Sequence, residues 1–247
     1  MARARVVDAR GHPLSPCSIQ KARRLVAANR ASVVCEEPLT IQLPYEVHIP
    51  EPQPEPGPVL ENQRLLLHIC CAPCATWTLQ HLTELGASVT GYWFNPNIHP
   101  FSEHERRRLS LVAFAEKQGL PMVWEEGYEM VAFLQAVADD PRRGHRCREC
   151  YRMRLRRTAQ RAAELGFEAF TTTLLISPYQ NLEIIRQEGE EAAEAYSVPF
   201  YFENMRRGFA YHHRLAQEHG LYEQRYCGCV YSEWESLTKD TSTRSAR

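Results

Sequence analysis

The sequence lacks the features that mark a secreted or membrane protein. Its first residues, MARARVVDARGHP, contain no apolar stretch long enough for a signal peptide. No segment approaches the roughly 20 consecutive apolar residues that a membrane-spanning helix needs. We therefore expect a cytoplasmic protein with no membrane partner.

Nucleotide-binding motifs are lacking as well. The chain contains no GxGxxG, no GxxxxGK[ST] and no SGGxDS loop of the kind found in ATP-pyrophosphatases. A reaction driven by a nucleotide therefore has little support.

Length and composition fit a globular protein of one or two domains. The chain has 247 residues, of which 44% are hydrophobic, and its formal net charge is −1. That near-neutral total conceals two basic segments. Residues 1–34 carry seven Arg or Lys against Asp8 alone, and residues 142–161 carry nine Arg against Glu149 alone. Such segments favour a surface that binds a polyanion. The alternative is a solvated face balanced by carboxylates from the rest of the fold.

A proline-rich run divides the chain. Prolines alternate with other residues in IPEPQPEPGPVLENQ, so this run forms neither a helix nor a central strand. We predict a small basic module over 1–46, a linker over 47–62, a larger domain over 63–240 and a polar tail over 241–247.

The larger domain is predicted to be α/β. Short apolar runs predict strands at 65–69, 89–94, 122–125, 169–175 and 200–202, and helical patterns cover about 74–85, 102–118, 129–138, 148–165, 181–196 and 209–219. This alternation is typical of a mostly parallel sheet with helices on both faces. Ligands of such folds bind beyond the carboxyl ends of the strands, which is where Cys70, Asn95 and Ser177 fall.

Seven of the nine cysteines fall in three tight groups. They lie in HICCAPC, RCREC and YCGC and are Cys70, Cys71 and Cys74, then Cys147 and Cys150, then Cys227 and Cys229. Thiols one to three residues apart can reach one metal ion. Seven thiols exceed what one tetrahedral zinc uses, so iron–sulfur chemistry is the leading interpretation. Disulfides suit short secreted domains instead. The isolated Cys17 and Cys35 are expected to be ordinary buried thiols.

Polar residues in two predicted loops are candidates for substrate binding. Asn95 and Asn97 lie in WFNPNIHP, and Ser177 and Asn181 lie in ISPYQN. An Asx-rich structural turn is the alternative for the first loop. Tyr179 and Tyr226 are candidate proton donors, although most tyrosines only pack.

Five stretches of the larger domain together resemble the QueH family of epoxyqueuosine reductases. They are LLLHICCAPC, NPNIHPFSEHERRR, RCRECYRMRLRRTAQ, FTTTLLISPYQN and GLYEQRYCGCVYS, distributed over about 65–233. The resemblance implies a Rossmann-like fold and reduction of the epoxide of epoxyqueuosine, at the wobble position of a tRNA anticodon, to an alkene.

The resemblance also implies cofactors and site residues. It implies a [4Fe–4S] cluster with a further iron ion beside it, held by Cys70, Cys71, Cys147, Cys150, Cys227 and Cys229. The position of Cys74 is sometimes an aspartate in the family, and Cys74 is here a seventh candidate metal ligand. The sequence does not divide the seven thiols between the cluster and the lone iron. An electron donor resembling a ferredoxin or a flavodoxin is a further implied partner.

Residues 5–43 are similar to the PLMP (RRXRR) module that begins the IscB RNA-guided nucleases, where it is an RNA-associated adaptor. The sequence fits a strand, a PLSP turn, a basic helix and a second strand pair. We expect this module, with its positive surplus, to contact RNA, and the alternative is a stabilising appendage. We expect Arg152 and Arg156 of the second basic segment to bind tRNA phosphates beside the metal.

Two other functions remain open at this point. A zinc-stapled RNA-binding protein without catalysis would use the same cysteines. A tRNA-thiolating enzyme of related fold would also combine this fold with cysteines, but it needs an ATP loop.

Overall fold

The computed structural model describes residues 3–47 and 60–238, which form two four-stranded sheets. The predicted tail lies outside the described residues, and so do residues 48–59 of the predicted linker. Within the described part of the chain, none of the helices combines the length and apolarity that crossing a membrane requires.

The first sheet belongs to the small N-terminal module. Its strands are β1 (Arg3–Val7), β2 (Pro13–Ser18), β3 (Ser32–Glu36) and β4 (Leu39–Gln42), in the order β2-β1-β4-β3. Helix α1 (Ile19–Ala27) begins at Ser18, whose side chain accepts a hydrogen bond from the Lys21 N–H. Ala4, Val6, Ala22 and Ile41 form a small core of their own.

The second sheet carries the larger domain. Its strands are β5 (Arg64–His68), β6 (Ser88–Trp93), β7 (Met122–Trp124) and β8 (Ala169–Thr172). All neighbours pair in parallel, in the order β7-β6-β5-β8. This arrangement confirms the predicted α/β fold class with a parallel sheet.

Eight α-helices surround the two sheets in the described chain, seven of them in the larger domain. After α1 these are α2 (Ala72–Glu84), α3 (Phe101–Gln118), α4 (Met130–Ala136), α5 (His145–Glu164), α6 (Leu182–Tyr196), α7 (Phe209–Glu218) and α8 (Val230–Thr238). Parallel crossovers are right-handed. The chain moves from β5 to β6 through α2 and on to β7 through α3, and it then returns through α5 to β8 on the other side of β5. Because the direction of movement across the sheet reverses, α5 lies on the opposite face of the sheet from α2 and α3.

The strand order reverses between β5 and β8, and this reversal creates the crevice that binds ligands in doubly wound folds. The chain leaves β5 into Ile69 and Cys70, and it leaves β8 into a 3₁₀ turn over Thr173–Ile176. Helix α5 runs antiparallel to the strands, so its first turn begins at the same edge. The fold therefore brings three chain segments to one rim.

Several predicted elements differ from the structure. The strand predicted over 169–175 ends at Thr172, where the side chain caps the following 3₁₀ turn. Residues 200–202 form only a bridge between Phe200 and Phe170. The PLSP residues lie in strand β2 rather than in a turn, and α8 was not predicted.

The core of the larger domain begins before β5. Leu60 is buried in it, and the Leu60 N–H donates to the carbonyl of Leu85. Residues 60–62, assigned to the linker from the sequence, thus pack on the larger domain. Strand β2 of the small module lies against α7.

Candidate metal centre

Three thiols converge where β5 runs into α2. The Sγ atoms of Cys70, Cys71 and Cys74 all lie within 4.8 Å of one another. Cys71 occupies the N-cap position of α2 without a side-chain capping hydrogen bond, and Pro73 lies in the first turn as expected. Cys71 and Cys74 are buried, whereas Cys70 is half-buried. This is the one group of three potential metal ligands so closely spaced among residues 3–47 and 60–238.

Polar side chains from other segments contact these sulfurs. The Thr173 hydroxyl donates to Cys70 Sγ at 3.3 Å and accepts from the Cys70 N–H at 3.1 Å. The Gln224 amide donates to Cys71 Sγ at 3.1 Å. Hydrogen bonds from Cys71 and Cys74 hold the pKa of Cys70 well below the ordinary thiol value, and Thr173 acts in the same direction. The Cys70 sulfur is therefore predisposed to be a thiolate, the form that binds metal.

The second cysteine group lies in the first turn and a half of α5. Cys147 and Cys150 are three residues apart on one helix face, as the spacing predicts. The buried Arg154, one turn further on, donates from Nη2 to Cys150 Sγ at 2.9 Å. Burial raises the pKa of Cys150 to about 12, and the Arg154 charge opposes that rise.

The third group is the CGC turn that precedes α8. Gly228 has φ +149°, and a β-carbon there would lie 3.2 Å from Asn97 Nδ2. The carbonyl of Cys227 accepts from Arg107 Nη1 at 3.0 Å. Cys227 Sγ accepts from the Gln180 amide at 3.4 Å, and Cys229 Sγ accepts from the Ser232 N–H at 3.4 Å. Cys229 also packs in a small apolar cluster with Cys150.

Two buried arginines link the three groups. Arg154 interacts electrostatically with Cys150, Cys227 and Cys70, one thiol of each group. Arg107 interacts in the same way with Cys71 and Cys227. The three groups therefore surround one region, although only the first is drawn tightly together. Soft sulfur donors that accept hydrogen bonds from side-chain amides and a hydroxyl fit an iron–sulfur or other thiophilic metal site.

An open cleft of about 630 Å³ adjoins this region. Its wall includes Cys147, Tyr151, Tyr179, Arg143 and Arg206. The Tyr151 hydroxyl donates to Gln180 Oε1 at 2.8 Å, and the same Gln180 donates to Cys227. The cleft wall is thereby connected to the third cysteine group.

The predicted substrate-binding residues occupy different environments. Asn95 and Asn97 are buried, and their Oδ1 atoms have no hydrogen-bond partner among the described residues. Asn95 Nδ2 donates to the Ile69 carbonyl at 2.9 Å. Asn181 lines the cleft but caps α6 with its side chain, and Ser177 accepts from the Tyr179 N–H. A binding role for all four residues stays a prediction.

The two tyrosines also differ. Tyr179 is 72% exposed at the cleft and meets the Phe209 ring edge-on at 5.8 Å. The Tyr226 hydroxyl donates to the carbonyl of His99, and burial raises the pKa of Tyr226 above its ordinary value. Tyr226 thus ties the CGC turn to the loop before α3.

Carboxylates neutralise most arginines of the second basic segment. Arg152 pairs with Glu188 at 3.1 Å and with Glu149 at 2.9 Å, and the exposed Arg156 lies over the Tyr196 ring. Five further arginines of this segment pair with acids: Arg142, Arg146, Arg148, Arg157 and Arg161. Much of this helix surface thus matches the balanced-face alternative. Phosphate binding by Arg152 and Arg156 stays a prediction.

Sequence reasoning missed several residues whose side chains contact the sulfurs or their backbone, among them Arg107, Arg154, Thr173, Gln180 and Gln224. Arg154 had a detectable signal. It lies at the i+4 position from Cys150, on the helix face that also carries Leu155 and Thr158, where an unpaired charge is unusual. The two glutamines carry no comparable signal. Cys17 and Cys35 were expected to be buried, but Cys35 is exposed on the edge strand β3 and Cys17 is half-buried. All nine cysteines are free thiols.

Fold and site together define a parallel α/β protein with a thiol-rich candidate metal centre at its switch point. The chain belongs to the QueH family: residues 65–235 match the family described as epoxyqueuosine reductase QueH, an oxidoreductase of queuosine biosynthesis. This confirms the family resemblance seen in the cysteine motifs.

Curated relatives named epoxyqueuosine reductase QueH cover most of the chain. The protein from Dehalococcoides mccartyi is 37% identical over 179 residues, which are 72% of this chain and 97% of the relative. The protein from Thermotoga maritima is 40% identical over 71% of this chain and 93% of the relative. The Streptococcus pyogenes protein is 36% identical over 68% of this chain and 69% of the relative.

The N-terminal module has a match of its own. Residues 5–55 match the family described as RRXRR protein. Among solved structures, a "predicted subunit of tRNA methyltransferase" from Methanocaldococcus jannaschii is 11% identical, with a TM-score of 0.43 over 72% of this chain and 88% of that chain.

Proposed function

We propose that this protein is an epoxyqueuosine reductase that acts on tRNA in the cytoplasm. The reaction opens the epoxide of epoxyqueuosine at the wobble position of the anticodon and leaves an alkene. Two electrons and two protons enter, and the epoxide oxygen leaves as water. The electrons come from a separate donor protein, of the ferredoxin or flavodoxin class.

The observation that carries this proposal is the position of the thiols. Cys70, Cys71 and Cys74 gather at the switch point of a parallel sheet, and Cys147 of the second group lines an adjoining open cleft. The thiol-rich region and the open cleft therefore share a boundary, which supports a reducing centre next to a bound substrate.

The seven clustered cysteines would hold a [4Fe–4S] cluster and a further iron. These would supply single electrons and Lewis acidity toward the epoxide oxygen. The surrounding hydrogen bonds from Thr173, Gln224 and Gln180 orient the sulfurs before any metal binds.

The cleft residues fit a single-stranded nucleotide. Tyr179 offers an exposed ring for stacking, and Arg143 and Arg206 offer positive charge for phosphates on the same wall. Because Tyr179 lines the cleft together with Cys147, it is also the better placed of the two candidate proton donors. Tyr226 is held by the His99 carbonyl, which favours a role in positioning the CGC turn.

Anaerobically purified protein tests the proposal directly. We expect a brown protein with broad visible absorbance, iron and acid-labile sulfide, and conversion of epoxyqueuosine in tRNA to queuosine when a reductant is supplied. A colourless protein that contains only zinc and leaves the tRNA unchanged would contradict the proposal and favour a zinc-stapled RNA-binding protein.

A further inference from the structure

Arg154 is buried without a carboxylate partner. It is 2% exposed, and within the described parts of the chain it forms no ion pair with an Asp or a Glu. Its neighbours on α5 behave differently, since Arg152, Arg157 and Arg161 all pair with acids. Burial of a guanidinium without a carboxylate is unfavourable unless other groups compensate its charge.

The groups around Arg154 are cysteine sulfurs and a backbone carbonyl. Its Nη2 donates to Cys150 Sγ at 2.9 Å, and its Nε donates to the Cys150 carbonyl at 3.1 Å. The next charges that it faces are those of Cys227 and Cys70. The charge of Arg154 therefore faces cysteine sulfurs rather than carboxylates, as a counter-cation of thiolates bound to a metal would.

Arg107 provides an internal comparison. It is equally buried and also faces cysteines, but its Nε donates to Glu103 at 2.8 Å. Its other donors bind the carbonyls of Tyr226 and Cys227 at 3.1 and 3.0 Å. Arg107 is neutralised by the Glu103 carboxylate and holds two backbone carbonyls in place. Arg154 has no such carboxylate, so it adds a positive charge among the thiols.

We propose that Arg154 is a positioning residue that acts as the fixed counter-cation of the metal centre, holding the Cys150 sulfur and adding one positive charge to the centre. The inference rests on the proposed function. A fixed positive charge beside a thiolate-ligated cluster stabilises the reduced, more negative state, so it raises the reduction potential. The hydrogen bonds from Nε and Nη2 to the carbonyl and Sγ of Cys150 also fix the orientation of the Cys150 side chain on α5.

Three variants test this role: Arg154→Met removes the charge, Arg154→Lys keeps it, and Arg161→Met is the control. Arg161 lies two turns further along the same helix and pairs with Glu125 near the surface. The readouts are iron and sulfide per chain, the visible spectrum, and the midpoint potential from an anaerobic dye-mediated titration.

We expect Arg154→Met to lower the midpoint potential. The equilibrium constant for one-electron reduction should fall at least tenfold, which is about 59 mV. Arg154→Lys should stay near the wild-type potential with somewhat less iron, and Arg161→Met should match the wild type in every readout. If Arg154→Met fails to fold, the lysine variant still decides: its potential must remain near that of the wild type.

Two results overturn the inference. One is a wild-type potential in an iron-loaded Arg154→Met protein, which would make the residue merely structural. The other is a large fall in potential in Arg154→Lys, which would show that the charge is not what matters. A wild-type protein without iron would instead defeat the proposed function, and this inference with it.

Discussion

Gly228 shows how one backbone position holds the CGC turn in place. Its φ of +149° is unfavourable for other residues, and a β-carbon would press on Asn97 Nδ2 at 3.2 Å and Ile98 at 3.3 Å. We expect Gly228→Ala to displace Cys227 and Cys229 and to reduce the iron content, measured per folded chain. Gly220→Ala is the matched control, because Gly220 has φ +66° but no atom within 4 Å of its added carbon. Equal iron loss in both variants would contradict this explanation.

The clustered thiols lead to a second prediction about single residues. Replacing Cys147 or Cys229 by serine should abolish the iron–sulfur absorbance and the reductase activity together, because thiolates hold the metal. Cys35→Ser should change neither, since Cys35 lies on an exposed strand of the other sheet. Full iron and activity in either of the first two variants would exclude that cysteine from the metal centre.

His212 makes stability depend on pH. It is buried in α7, and burial together with the neighbouring His213 lowers its pKa to about 4, against the weaker opposing effects of the Phe209 carbonyl and of Glu223. The folded state therefore favours the neutral ring. Burial of the neutral His212 ring therefore stabilises the folded state fully above the unfolded pKa of about 6.5, and this stabilisation is lost as the pH falls toward 4.

Between pH 7 and pH 5 this loss should be about 2 kcal/mol in the free energy of unfolding. Chemical denaturation at both pH values measures it. His212→Gln should show a correspondingly smaller change between the two pH values, and His219→Gln, at the C-cap position of α7, should behave like the wild type. An unchanged pH dependence in His212→Gln would mean that other groups titrate.

At the scale of elements, the arginines of helix α5 are of two kinds. Some pair with buried acids and support the fold, and others are exposed and available to bind RNA. Arg152 pairs with the buried Glu188, so Arg152→Ala should lower stability as well as tRNA affinity. Arg156 is exposed and forms no ion pair with a described acid, so Arg156→Ala should leave the melting temperature unchanged. If Arg156 contacts a phosphate, its loss should reduce the salt slope of tRNA binding by about 0.7 to 0.9. An unchanged slope would place Arg156 on a solvated face.

Comparison of the predicted and observed helices and strands shows which elements the hydrophobic pattern of the sequence reveals. Buried parallel strands and long helices with glycine ends, such as α3 before Gly119, were predicted within a few residues. The strand over 169–175 was predicted too long because its apolar residues continue into a buried 3₁₀ turn, and apolar runs do not distinguish the two. Helix α8 has no buried residue and thus no strong pattern. The cysteine groups were evident from local spacing, whereas Gln224 reaches Cys71 across 153 positions, which only the tertiary fold brings together.

At the scale of the whole molecule, the basic module is mounted on the reductase domain. Strand β2 lies against α7, whose first residue Phe209 contacts the cleft residue Tyr179. Exposed arginines lie on two of its elements, Arg3 and Arg5 on β1 and Arg23 and Arg24 on α1. If this charged surface binds RNA, as the sequence predicts, it would raise the local concentration of tRNA without taking part in the chemistry.

Deleting residues 1–59 tests the role of this module. The cut precedes Leu60, which is buried in the larger core. The Dehalococcoides mccartyi relative aligns over 97% of its own length with 72% of this chain. That relative therefore has little sequence beyond the aligned region. We expect the truncated protein to keep its iron and its turnover number but to show a higher KM for whole tRNA. Its KM for a short anticodon stem-loop should change little, because the module would contact RNA outside that loop. Loss of iron or of turnover would show that the contact of β2 with α7 is structural, and an unchanged KM for whole tRNA would remove the module from substrate binding.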